Sequence, residues 1–240
     1  MRPPPKPEGH LRLASYNIRK AVGLDWRRDP GRILRVISDL DADIVVLQEV
    51  DKRLGDRPTV LSPAHVEHET GFCAAPVSIN DVSLGWHGNA ILVRKGIDIL
   101  DTERIFLTGI EPRGAVTATV AAALGEITVV GVHLGLRRRC RLGQLRAIRA
   151  HLGDDRHTGT VIAGDFNEWS AAGMGLRPLE GRFEIMRPGR SFHAAAPVAA
   201  LDCIALGGEL TATDSGVVQT PLTRKASDHL PIWVDIRRAA

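Results

Sequence analysis

The chain has 240 residues, long enough to build one sizeable core, and no Gly/Ser linker, internal repeat or low-complexity tract divides it. Its 31 basic and 28 acidic side chains leave a net charge of +3, too small to mark a nucleic-acid binder by charge alone. Three scattered cysteines, Cys73, Cys140 and Cys203, argue against a disulfide framework or a structural zinc site, and no apolar run reaches membrane-spanning length.

Residues 1–10 contain Pro3-Pro4-Pro5, which cannot begin a helix or a central strand, so a flexible tail is expected there, ahead of a folded domain at 11–238. This opening lacks the apolar core of a signal peptide, and a cytoplasmic protein is expected. Residues 11–18 read as a strand. Asp29-Pro30 supplies a capping side chain and a proline for the first turn of a helix striped by Ile33, Leu34, Ile37 and Leu40. Residues 43–50 form a short apolar strand, and Ser62 opens a short helix that ends by Gly71. Strands follow at 72–79, 89–94, 115–124 and 127–134, the last two joined as a hairpin around Gly125-Glu126. Residues 139–152 make an amphipathic helix with Leu142, Leu145, Ile148 and Leu152 on one side. Strands recur at 160–165, 201–206 and 230–236, and the Gly-, Pro- and Arg-rich stretch 169–197 reads as surface loop. Hairpins mixed with helical crossovers suit an α/β sandwich better than a doubly wound sheet.

The residues that bound the apolar runs carry the chemistry. The first strand delivers Asn17 and the second Gln48-Glu49; Thr128 to Val132 ends in His133, and Val161-Ile162-Ala163 leads to Asp165 and Asn167. Asp202 begins one strand, and Ser227-Asp228-His229 precedes another. Strand ends in layered α/β folds are where ligand sites form. Carboxylates and carboxamides without a thiolate favour Mg²⁺, with Mn²⁺ as a substitute, over zinc. Such a cation, a carboxylate to steer water and an imidazole are the parts of a phosphoester hydrolase. No Gly-x-Ser-x-Gly elbow, P-loop or dinucleotide fingerprint is present.

The segments Ser15-Tyr16-Asn17-Ile18, Leu47-Gln48-Glu49-Val50, Arg113-Gly114, Val132-His133-Leu134, Gly164-Asp165-Phe166-Asn167, Leu201-Asp202 and Ser227-Asp228-His229 occur in one order across nearly the whole chain. Together they resemble the endonuclease/exonuclease/phosphatase (DNase I-like) superfamily, whose members include nucleases, sphingomyelinases and inositol-polyphosphate phosphatases. The resemblance implies a four-layer α/β sandwich with two central mixed β-sheets flanked by helices, and a catalytic domain spanning 11–238. It implies that Glu49, with Asn17 and Asp228, holds Mg²⁺. It further implies that Asp165 handles the attacking water, that Asn167 contacts the phosphate and that His229, oriented by Asp202, is the catalytic imidazole. His133 would donate to the phosphoryl oxygen, and Arg113 would support the site.

Substrate identity stays open at this level. The compact chain favours a phosphodiester of a phospholipid headgroup or another small phosphoester; DNA or RNA is the alternative, and an inactive binding protein of the same fold a third reading. Arg137, Arg138, Arg139 and Arg141 could meet an anionic surface. No aromatic residue interleaves them, which argues against base stacking there. Trp86 and Trp169 are expected to flank the cleft, with packing as the first role for both and substrate contact as the second. His65 and His68 have the i,i+3 spacing of a helical metal pair, with a solvated face as the simpler reading.

Overall fold

A computed structural model of the chain describes residues 1–153 and 158–239. Among the described residues there are twelve strands and four α-helices. They are β1 (Leu11–Asn17), α1 (Pro30–Asp39), β2 (Ile44–Gln48), α2 (Pro63–Thr70), β3 (Phe72–Ala74), β4 (Ala90–Arg94), β5 (Asp98–Leu107) and β6 (Arg113–Ala122). There follow β7 (Gly125–His133), α3 (Arg138–Leu152), β8 (Thr160–Asp165), β9 (Phe183–Met186), β10 (Asp202–Gly207), β11 (Leu210–Val217), α4 (Thr223–Ala226) and β12 (Ile232–Arg238).

The strands form two six-stranded mixed sheets, ordered β11-β12-β1-β2-β4-β3 and β5-β6-β7-β8-β10-β9. The inner faces meet in one apolar core, where Leu13, Val46 and Ile91 of the first sheet pack with Val116, Val129 and Ile204 of the second. The outer face of the first sheet is covered by Ile33, Ile37 and Val66 of α1 and α2. That of the second is covered by Leu145, Ile148 and Leu152 of α3. The result is the four-layer α/β sandwich expected from the sequence. Among the described residues no helix is long and apolar enough to cross a membrane.

Local chemistry accounts for several boundaries. The Asp29 carboxylate accepts from the Arg32 amide at 2.9 Å, and Pro30 opens α1. Residues 72–79 were expected to form a strand, but β3 stops at Ala74 because Pro76 cannot donate to a ladder. Ahead of β1, Arg2 pairs with Asp39 at 2.9 Å and Lys6 donates to Asp43 at 2.5 Å.

Candidate functional site

Parallel pairing sets the site. β1 runs parallel to β2 and β7 parallel to β8, so the two pairs bring Asn17, Gln48, His133 and Asp165 to strand ends. In register, His133 lies opposite Asp165 across β7–β8, and Asp202 lies opposite Asp165 across β8–β10. Asp165 is therefore flanked within one sheet by both neighbours. Gly164 makes this possible: its φ is +150°, and a Cβ there would lie 1.9 Å from the Val132 carbonyl oxygen.

Asp165 is the hub. Its Oδ2 accepts from Asn17 Nδ2 at 3.1 Å and lies 3.3 Å from His133 Nε2 and 3.7 Å from His229 Nε2. Its Oδ1 accepts the Asn167 amide at 3.0 Å. Burial raises the Asp165 pKa to about 6, because desolvation outweighs the nearby His229 charge and the hydrogen bonds from Asn167 and Asn17. Burial also holds His133 well below its ordinary value, aided by the positive charges of Arg113 and His229. His133 is thus a neutral imidazole at pH 7.

His229 behaves in the opposite way. Burial alone would lower its pKa, but the Asp202 and Asp165 carboxylates raise it to about 10. Its Nδ1 donates to Asp202 Oδ2 at 2.8 Å, and the same oxygen accepts from Ser191 Oγ at 2.5 Å. The Phe192 ring lies 5.0 Å from the imidazole ring and shields one side of it. Ser227 ties the segment down, donating to the Asn17 carbonyl at 2.7 Å and accepting the His229 amide at 3.3 Å.

Glu49 and Asp228 are each engaged by a nearby cation. Glu49 follows β2 with φ +58° and holds the Lys20 ammonium on Oε2, while Arg53 lies 3.6 Å from Oε1. Asp228 pairs with Arg19 at 3.5 Å. Asn17 Oδ1 accepts the Arg19 amide at 3.1 Å, which turns its nitrogen toward Asp165 and leaves one oxygen lone pair. The ligand atoms of Asp165, Asp202 and His229 all lie within 4.8 Å of one another and could also gather around a metal. A protonated His229, however, has no free nitrogen lone pair to offer. The oxygen donors of Glu49, Asn17 and Asp228 suit a hard divalent cation better, and Glu49 already carries the Lys20 ammonium as a counter-charge.

Arg113 begins β6 half-buried; burial lowers its pKa against the pull of Asp165 and Glu111, and its Nε has no hydrogen-bond partner. Asn167, with φ +52°, donates through Nδ2 to the Leu134 carbonyl at 2.9 Å. One expectation is corrected. Arg141 cannot meet an external surface, because it is buried against Glu168 at 3.2 Å and donates to the carbonyls of Gly135 and Leu136. Arg137, Arg138 and Arg139 do face solvent.

Trp86 is buried over Gly114, where a Cβ would lie 2.3 Å from the ring, whereas Trp169 is exposed and meets Phe192 edge-on at 5.6 Å. His65 and His68 are both exposed, and His68 pairs with Glu69. Ser191, Phe192 and Lys20 escaped the sequence reading. The first two lie in the stretch read as loop and carry no motif; Lys20 could have been sought, since it follows the Asn17 strand end within three residues.

The family described as the Endonuclease/Exonuclease/phosphatase family matches residues 14–229. The protein YbhP of Escherichia coli (strain K12) is 32% identical over 251 residues, covering 94% of this chain and 96% of that protein. The crystal structure of an endonuclease/exonuclease/phosphatase from Beutenbergia cavernae superposes with a TM-score of 0.75 at 22% identity, covering 96% of this chain and 72% of the other. The mannosyl-6-phosphatase of Bacteroides thetaiotaomicron superposes with a TM-score of 0.71 at 19% identity, covering 94% and 99%.

Proposed function

Because the chain belongs to the endonuclease/exonuclease/phosphatase family, we propose that it is a metal-dependent phosphoesterase that hydrolyses the phosphodiester of a phospholipid headgroup or another small phosphoester. The observation that carries this reading is the position of Asp165 between a neutral His133 at 3.3 Å and a protonated, Asp202-bound His229 at 3.7 Å. Such a carboxylate faces one donor on each side, and a phosphoryl group placed over it would meet both.

The protonation states assign the roles. With a pKa of about 6, Asp165 is ionised at neutral pH and accepts a proton from the attacking water. His229, with a pKa of about 10, cannot serve as a base at neutral pH; it presents Nε2–H to the phosphoryl oxygen on which charge develops. Asp202 holds that imidazolium in place, and Ser191 holds Asp202. His133 donates a second hydrogen bond, and Asn167, whose amide donates to Asp165 Oδ1, would contact the phosphate. Glu49, Asp228 and Oδ1 of Asn17 would hold Mg²⁺ or Mn²⁺, which when bound polarises the phosphate oxygens.

A nuclease reading draws on a different observation. Arg138, Arg146, Arg149 and Arg177 line a hollow of about 380 Å³ between α3 and residues 174–178, where a polymer's phosphates could lie. Steep loss of activity with salt on a polynucleotide would favour it.

The deciding experiment is hydrolysis of bis-p-nitrophenyl phosphate with Mg²⁺, with Mn²⁺ and with a chelator, by the wild type and by His229→Ala. Metal-dependent release of nitrophenol that drops about 100-fold or more in the variant is expected. Equal rates in both proteins, or rates indifferent to the chelator, would refute the reading.

A further inference from the structure

A hollow of about 370 Å³ opens beside the catalytic centre, bounded on one side by Glu49 and His133. Its charge is unbalanced. Lys20, Lys52, Arg53, Arg57 and Arg113 line it, against the carboxylates of Glu49, Asp51 and Glu111. Glu49 is already engaged by Lys20 and Arg53. Asp51 turns inward and accepts the amides of Leu84 and Gly85 at 3.0 and 3.3 Å. Glu111 lies against Gly135 with its Oε2 buried and attracts Arg113 only from beyond ion-pair distance. Lys52, Arg57 and Arg113 have no carboxylate within 4.0 Å among the described residues, and the Arg113 Nε is buried without a hydrogen-bond partner. Unpaired guanidinium groups at a partly desolvated wall call for an anion with several oxygens.

The wall is built to hold these cations in place. Trp86 and Asn89 exchange backbone hydrogen bonds at 2.9 and 3.0 Å, closing a turn whose Gly88 carbonyl accepts the Val50 amide at 3.1 Å. That turn presents His87, kept neutral by burial and by the neighbouring Arg57. The His87 Nδ1 therefore accepts from Arg57 Nη1 at 3.1 Å and steadies the guanidinium instead of repelling it. Arg57 and His87 both adopt left-handed backbone angles, φ +53° and +49°, a conformation that costs energy in non-glycine residues and recurs at ligand clamps.

We propose that this hollow binds a second phosphate monoester carried by the substrate, so that the preferred substrates bear one phosphate that is hydrolysed and another that is held by Lys52, Arg57 and Arg113. The proposal rests on the phosphoesterase reading for the first phosphate and adds the class of group attached to it. A phosphorylated nucleotide end and a phosphorylated inositol headgroup share this chemistry.

Two probe pairs separate these sources. One is the p-nitrophenyl ester of thymidine 5′-phosphate with and without a 3′-phosphate; the other is glycerophosphoinositol with and without a 4-phosphate. The wild type is expected to prefer the doubly phosphorylated member of at least one pair by about tenfold or more in kcat/KM. Arg57→Gln and Lys52→Gln should bring that ratio toward about one, whatever they do to absolute rates. A wild-type ratio near one for both pairs, or a ratio that survives both substitutions, overturns the proposal. If no probe is hydrolysed, the phosphoesterase reading fails and the hollow is judged separately, by calorimetry with pyrophosphate and no metal. Binding that weakens in Arg57→Gln supports the subsite; equal binding in both proteins refutes it.

Discussion

Nδ1 of His229 donates to Oδ2 of Asp202 across 2.8 Å, joining the loop before β12 to the first residue of β10. Removing the charge of that partner leaves the geometry nearly intact but withdraws the strongest of the charges that hold the proton on the imidazole against burial. Asp202→Asn should therefore lower kcat by about 100- to 10,000-fold. It should also move the His229 pKa from about 10 back toward its ordinary 6.5. Proton-detected titration of the imidazole measures the shift directly, and an unmoved pKa would refute the pairing as its cause.

The opposed shifts of Asp165 and His229 set a pH window. Hydrolysis should climb as Asp165 loses its proton through about pH 6 and fall as His229 loses its own through about pH 10. Stability of the metal-free protein responds to the same two groups, but it falls as pH rises through each of them. His229 has a folded-state pKa above its ordinary value, so its contribution is complete below about 6.5 and disappears as pH rises through about 10. Asp165 acts with the same sign lower down, its contribution being complete below about 3.8 and gone above about 6. Thermal melts across this range, repeated on His229→Gln, should show the alkaline loss only in the wild type.

The legible parts of the fold and those that were not legible differ in one physical respect. Central strands such as β2 and β8 are buried along their whole length, so their apolar runs stand out and the polar residues that end them mark the site. The edge strands β5, β9 and β11 were missed, and β3 was drawn too long. β5 carries Asp98, Asp101 and Arg104 toward solvent, the charged dressing that protects a sheet edge and erases the strand pattern. The same distinction holds at the site. Asp165 and His229 lie at strand ends, whereas Ser191, which holds Asp202, lies in a segment with no periodicity at all.

Glu49 should govern metal binding. Mg²⁺ at 100 times its Kd stabilises a protein that binds it only when folded by about 2.7 kcal/mol. The wild type should show that gain in calorimetric melts and Glu49→Ala should lose it, along with metal-dependent hydrolysis. The Lys20 ammonium occupies the same carboxylate, and burial lowers its pKa to about 8. Lys20→Met should consequently bind Mg²⁺ more tightly, since the metal no longer displaces a cation. Weaker binding in that variant would mean that Lys20 supports the site instead of competing for it.

Far from the site, Arg12 and Asp235 face each other across β1 and β12, both wholly buried and joined by two hydrogen bonds of 2.7 Å. The guanidinium also lies 4.7 Å from the Trp233 ring centre. Taking two charges out of water is costly, and the geometry only offsets that cost, so the pair matters most when half of it is removed. Asp235→Ala leaves the buried guanidinium with only the exposed Asp41 carboxylate, 3.7 Å away, and should cost about 3–5 kcal/mol, read from the urea midpoint. Replacing both partners with apolar residues, as in Arg12→Met with Asp235→Leu, removes the stranded charge and should recover most of the loss. Activity per folded molecule should stay at the wild-type level in the double variant, because neither residue touches Asp165, His229 or Glu49. A double variant as unstable as Asp235→Ala would show that the ion pair contributes more than its own desolvation removes.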